Sequence, residues 1–214
     1  MIKTLLQRLH APIYRYRFKE LVRCIAQHLR EGDQVLDVGC GNGALGRALL
    51  DADTCPGDVN VLGLERAKRG GELIEVHAYE GVTIPFADRS FDVVILADVL
   101  HHEEDPDRLI RECMRISRRL LIIKDHKIDG PLAWARISFL DWAANAPYAV
   151  PCLYRYNTSG QWAELHARHG LRIVSEMTAM TLYPPFVNLL FGRRLQYMAV
   201  SAVGDPKPNP RSPQ

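Results

Sequence analysis

The stretch from Gln34 to Gly46 (QVLDVGCGNGALG) constrains this chain more than any other. A run of β-branched and apolar residues carrying one acid, Asp37, breaks at Gly39, Gly41 and Gly43. A helical pattern then resumes through Leu45, Ala48, Leu49 and Leu50. That order predicts a strand, a tight turn and a helix start, a geometry that turns backbone N–H groups toward a nucleotide-like ligand. Glycine suits the turn because it takes positive φ without strain, and because a Cβ would hold a ligand off the backbone.

The remainder repeats strand then helix. Ile13–Arg30 is an amphipathic helix with Phe18, Leu21, Val22, Ile25 and Leu29 near one face. Strands are predicted at Val35–Val38, Val59–Leu64, Leu73–Ala78, Phe91–Ala97, Leu120–Ile123, Leu171–Glu176 and Gln196–Val203, the last two as an antiparallel, hairpin-like pair. The run FDVVILA (91–97) is nearly all apolar, as a central strand buried on both faces requires. Two adjacent glycines and few residues between Glu65 and Leu73 leave the helix after the second strand abbreviated or absent. Pro106 opens a helix over Asp107–Arg118, and Ser159 caps another over Gly160–His169. The expected fold is a three-layer α/β/α sandwich around a Rossmann-like, seven-stranded, mostly parallel sheet. Residues 1–203 form one domain, with a helical lid at 1–32 and a substrate-cap insertion at 126–158. The segment 204–214, with four prolines in eleven residues, reads as a disordered tail.

Composition narrows the class. Hydrophobic residues make up 47% and charged residues 24%, which is ordinary for a soluble globular domain. A formal charge of +2 offers no global attraction for nucleic acid. The five cysteines (Cys24, Cys40, Cys55, Cys113, Cys152) are odd in number and lack C-x-x-C spacing, so they read as reduced thiols. Met1–Leu9 is too short for a signal peptide and no apolar run reaches membrane-spanning length. These features predict a cytoplasmic protein, monomeric or homodimeric, without integral membrane association.

In sheets of this kind ligands lie beyond the carboxyl ends of the strands. Strand two ends at Glu65, where a carboxylate can accept from both hydroxyls of a ribose. Strand four runs into Asp98-Val-Leu-His101-His102, and strand five ends in Lys124-Asp125-His126. The cluster His101-His102-Glu103-Glu104-Asp105 reads as a loop capping the helix after Pro106, with its acids favourable at a helix N-terminus. Neighbouring residues on a turn seldom share an ion and no second spaced ligand set is evident, so no metal is expected.

Four motifs occur in order: VLDVGCGNGALG (35–46), IPFADRSFDVV (84–94), LHHEEDPDRLIRECMRI (100–116) and LLIIKD (120–125). Together they resemble the class I S-adenosylmethionine-dependent methyltransferases, in particular the type 11 family of small-molecule enzymes, over about residues 33–125. The resemblance implies S-adenosylmethionine as cofactor. Asp37, Gly39, Cys40, Gly41 and Gly43 would surround its methionine moiety and Glu65 its ribose. Tyr79 and Glu80 would meet the adenine, and Asp98 the reactive side. The family's in-line methyl transfer would use a small-molecule acceptor; for a hydroxyl acceptor His101, His102 and His126 are the candidate bases. Variable caps in such enzymes recognise substrate, which singles out Asp141, Asn145 and Tyr156, with Tyr14 from the aromatic and basic N-terminal run. Leu182-Tyr-Pro-Pro-Phe186, Leu189, Leu190 and Phe191 form an apolar patch compatible with an apolar acceptor, a dimer contact or ordinary core.

Two other readings use the same residues. Gly39-x-Gly41-x-x-Ala44 also fits a dinucleotide fingerprint with Glu65 as its ribose acid, which would make an NAD-dependent oxidoreductase. Asp37 within the strand, the IPF…SFD segment and the lack of a Tyr-x-x-x-Lys pair count against it. A non-catalytic, cofactor-binding regulatory protein would carry the same donor site.

Overall fold

The computed structural model describes residues 16–145 and 152–203. Tyr14, the first fifteen residues of the expected lid, residues 146–151 of the cap and the tail 204–214 lie outside the described residues.

Residues 16–26 are helical (α1). Then follow β1 (Gln34–Val38), α2 (Ala44–Leu50), β2 (Asn60–Glu65), β3 (Val76–Ala78), β4 (Phe91–Ala97), a 3-10 turn (Leu100–His102), α3 (Pro106–Ile116) and β5 (Ser117–His126). α4 (Ala133–Asn145), α5 (Ser159–Arg168), β6 (Arg172–Met177), α6 (Pro185–Phe191) and β7 (Gln196–Ala202) complete the order. The seven strands are arranged β3-β2-β1-β4-β5-β7-β6. The first five are parallel, and β7 runs antiparallel between β5 and β6. Strand order reverses direction between β1 and β4, so the crevice beyond their carboxyl ends is the ligand position of such a sheet.

The pleat divides the core. Val94 and Leu96 of β4 face one side with Leu36, Leu121, Ile123, Ile110 of α3 and Trp162 of α5. Val93 and Ile95 face the other side with Val35, Val61, Ile122, Leu49 of α2 and Leu21 and Ile25 of α1. Successive strand side chains point to opposite faces, and here both faces are covered by helices, which explains the unbroken apolar run of β4. The described part of α1 buries its apolar face in this core.

Several boundaries differ from expectation. No helix forms between β2 and β3, and β3 contracts to three residues. β5 extends to ten residues because β7 pairs with it from Leu120↔Ala202 to His126↔Gln196. β6 and β7 pair antiparallel, but α6 intervenes, so they are not a hairpin. The cap of α5 is Thr158: its side chain accepts from the Gln161 amide while Gln161 accepts from the Thr158 amide, a reciprocal capping box.

Candidate active site

The loop after β1 is built as the glycines foretold. Gly39, Gly41 and Gly43 have φ of 71°, 61° and 78°. A Cβ on Gly39 would stand 2.6 Å from Val99 Cγ2, so a side chain here would collide with Val99, two residues beyond β4. Glu65, at the end of β2, accepts from the Gly41 amide at 2.8 Å and from its neighbour Arg66 at 2.9 Å. Asp37 is 2% exposed on β1, and its Oδ2 makes no hydrogen bond. Burial, reinforced by the Glu65 carboxylate, pushes its carboxyl up to about 7.

β4 ends in a residue under strain. Asp98 takes φ 58°, a left-handed conformation uncommon outside glycine. Its amide donates to the Lys124 carbonyl at 2.8 Å and its carboxylate receives the Lys124 ammonium and the Arg17 guanidinium. Lys124 is fully buried, and that burial, aided by Arg17, lowers its ammonium well below the usual range. His126 Nε2 lies 3.7 Å from the same Asp98 oxygen, and burial keeps this histidine neutral.

A second hub forms where β4, β5 and α4 meet. His101 Nδ1 is 2.6 Å from Asp125 Oδ1, and His101 Nε2 is 3.5 Å from Asp141 Oδ1. His102 Nε2 lies 3.7 Å from that same Asp141 oxygen. Tyr156 donates to Asp141 Oδ2 at 2.7 Å and the Asn145 amide to Oδ1 at 2.7 Å. Burial works against charge on His101, but the Asp125 and Asp141 carboxylates outweigh it and raise the imidazole to about 9. Asp125 is held in its ionised form by that partner, despite complete burial.

Two cavities adjoin across this ground. One of about 400 Å³ is lined by Gly39, Glu65, Tyr79, Asp98, Val99 and His102, at the carboxyl ends of β1, β2 and β4. The other, of about 160 Å³, is lined by Arg17, Leu140, Asp141, Tyr183, Val187 and the three histidines. Asp98, His102 and Asn145 belong to both walls.

Most sequence-predicted residues therefore converge. Asp37, Gly39, Gly41, Glu65, Tyr79 and Asp98 surround the larger cavity or underlie its loop, while His101, His102, His126, Asp141 and Asn145 line the smaller. Tyr156 orients Asp141 from behind. Three do not follow expectation. Glu80 is exposed, outside the cleft wall that its neighbour Tyr79 joins. The Cys40 sulfur packs beneath the loop, where a Cβ on Gly63 would meet it at 2.6 Å. Gly43 faces Ile74, whose Cγ1 would lie 2.4 Å from an added Cβ, so its demand is for packing space. Arg17, Lys124 and Asp125 were not singled out as site residues. The last two were signalled by their place at the end of a central strand, and Arg17 by the aromatic and basic run at 14–19.

Residues 36–120 match the family model described as a methyltransferase domain. The 27-O-demethylrifamycin SV methyltransferase of Amycolatopsis mediterranei is 33% identical over 103 residues, covering 42% of this chain and 36% of that protein. The ubiquinone/menaquinone biosynthesis C-methyltransferase UbiE of Bordetella avium is 27% identical over 145 residues, covering 60% and 57%. The matches thus span less than two thirds of these relatives' own length. Among solved structures, the 1,6-didemethyltoxoflavin-N1-methyltransferase of Burkholderia thailandensis superposes with TM-score 0.63 at 17% identity, over 88% of this chain and 79% of its own. A SAM-dependent methyltransferase from Aquifex aeolicus gives 0.59 at 16%, over 94% and 98%. The fold is one that S-adenosylmethionine-dependent methyltransferases share, and the matched segment is similar to a methyltransferase domain.

Proposed function

We propose that this chain transfers a methyl group from S-adenosylmethionine to a small acceptor held in the pocket beneath α4 and α6. The observation that carries the reading is the shared wall: Asp98, His102 and Asn145 separate a nucleotide-sized cleft from a smaller, mostly apolar cavity. Residues of the cleft suit the cofactor. The unpartnered Asp37 oxygen and Asp98 answer the cationic amino-acid end, Glu65 the ribose diol, and Tyr79 an aromatic base. Gly39 leaves the space a Cβ would fill.

The bound cofactor supplies an electrophilic methyl on a positive sulfur. What the protein contributes is placement and exclusion of water, with the nucleophile brought to about 3–3.5 Å in line. Val187, Leu140 and Tyr183 close the acceptor pocket on its apolar side and Arg17 on its polar side. His101, already protonated between two carboxylates, is a poor base; His126, kept neutral and with Nδ1 making no hydrogen bond, can accept a hydrogen from an acceptor group. An apolar acceptor is favoured by the exposed Phe139, Trp142, Phe186 and Leu189 flanking the pocket on α4 and α6. Residues 1–203 act as one unit with α4 as its substrate cap. A cytoplasmic setting is supported by the five free cysteines, and no helix among the described residues is long and apolar enough to cross a membrane.

Titration calorimetry with S-adenosylmethionine, S-adenosylhomocysteine and NAD tests the reading. Micromolar binding of the first two with none of NAD is expected. Binding of NAD alone would make the cleft a dinucleotide site and remove the proposal.

A further inference from the structure

The His101–His102 pair faces a third group that its sequence neighbourhood lacks. Asp141, forty residues beyond His101 on α4, brings one oxygen to 3.5 Å from His101 Nε2 and 3.7 Å from His102 Nε2. The three ligand-capable atoms all lie within 4.8 Å of one another. Two atoms bound to one tetrahedral ion at about 2.1 Å stand roughly 3.4 Å apart, close to the two histidine–aspartate distances of 3.5 and 3.7 Å. We propose that His101, His102 and Asp141 form a binding site for a divalent first-row transition-metal ion, opening into the acceptor pocket.

Two of the three donors, His101 and Asp141, are held as ligands need to be held. His101 is 3% exposed, and its Nε2 is buried without a hydrogen bond, aimed at the cluster. Its Nδ1 is fixed on Asp125 Oδ1 at 2.6 Å, the carboxylate–histidine arrangement that sets the tautomer and ring orientation of metal-ligating histidines. Asp141 accepts from Tyr156 on one oxygen and Asn145 on the other, which fixes the carboxylate facing the two histidines. The nearby combination of His101, Asp125 and His126 is a poorer site, since 2.6 Å is hydrogen-bond spacing, too close for two ligands of one ion. An ion bound here would take the place of the proton that His101 otherwise carries between Asp125 and Asp141.

Two imidazoles and one carboxylate suit zinc, iron, cobalt or nickel better than magnesium or calcium, which prefer all-oxygen shells. Three protein ligands leave a position open, and here it faces the cavity of about 160 Å³. An acceptor oxygen taking that position would be polarised and oriented toward the shared wall with the larger cleft. This role for the ion rests on the methyltransferase reading; the ion site itself does not.

Cobalt(II) titration of the metal-stripped full-length protein, followed by visible d–d absorption, tests the site. One equivalent should bind with ligand-field bands and be displaced by zinc. His102→Gln and Asp141→Asn should each weaken binding at least tenfold, and Asp125→Asn by about 10–100-fold. Asp141 also anchors Tyr156 and Asn145, so its variant can lose structure; His102 lies on an outer turn and carries the test regardless. No bands in the wild type, or bands unchanged in His102→Gln, would overturn the proposal. Calorimetry with S-adenosylhomocysteine on the same stripped sample separates the two readings, because it reads the cleft with no ion present, and of the three ligands only His102 borders that cleft. Cobalt uptake without S-adenosylhomocysteine binding would remove the methyltransferase reading and leave the ion site standing.

Discussion

Glu65 and Gly41 are joined by a 2.8 Å hydrogen bond from the loop amide to the carboxylate, so the acid after β2 and the glycine turn after β1 form one unit. Glu65→Ala leaves that amide without its acceptor and removes the proposed ribose partner. We expect S-adenosylhomocysteine affinity to fall at least tenfold by calorimetry, with a stability loss of about 1–3 kcal/mol by denaturant unfolding. Unchanged affinity would place the ribose elsewhere.

Gly39→Ala sets a methyl against Val99, 2.6 Å from Cγ2, at a φ of 71°. The clash and the conformational strain should together cost about 1–3 kcal/mol. Adding Val99→Ala should restore part of that loss while the strain at φ remains. Thermal unfolding of the single and double variants reads the difference; equal instability in both would exclude Val99 as the obstacle.

If Asp37 faces the cofactor as proposed, it should link binding to pH. The folded protein holds this proton to about 7, whereas the unfolded chain releases it near 3.8. Between those values the folded state binds more protons, so the Asp37 contribution makes stability fall as pH rises, by about 4 kcal/mol over the interval. A cationic ligand favours the carboxylate, so affinity for S-adenosylhomocysteine should weaken as pH drops below about 7, by up to roughly tenfold per unit. Asp37→Asn should flatten both profiles. A wild-type affinity independent of pH from about 6 to 8 would show that no cation is bound beside this group.

Trp162 ties α5 to the end of β5: its indole donates to the His126 carbonyl at 3.1 Å and stacks on Tyr197 at 4.7 Å between centroids. Trp162→Ala should cost about 3–5 kcal/mol by denaturant unfolding. Trp162→Phe keeps the stack and gives up the hydrogen bond, and should cost less than half as much.

Much of this architecture was legible because its signals are local. The run FDVVILA identified β4 to the residue, Pro106 opened α3, and the scarcity of residues after Glu65 foretold the missing helix before β3. Glu80 stands exposed outside the cleft wall that Tyr79 joins; both residues follow the end of β3, where no strand alternation tells from sequence which way a side chain turns. The cap of α5 was assigned one residue late because Thr158 and Ser159 are chemically alike, and only hydrogen-bond geometry separates them.

By itself the sequence determined the strand–glycine–helix unit, the alternation that makes a parallel sheet, and the acids and histidines at strand ends. These follow from periodicity and backbone preference over a few residues. Tertiary structure alone decided that β7 would enter antiparallel between β5 and β6, and that Arg17 of α1 would meet Asp98 and Lys124. It alone brought His101, Asp125 and Asp141 together from three separate elements. Such contacts join residues far apart along the chain, and their free energy comes from excluding water around groups that no local pattern pairs.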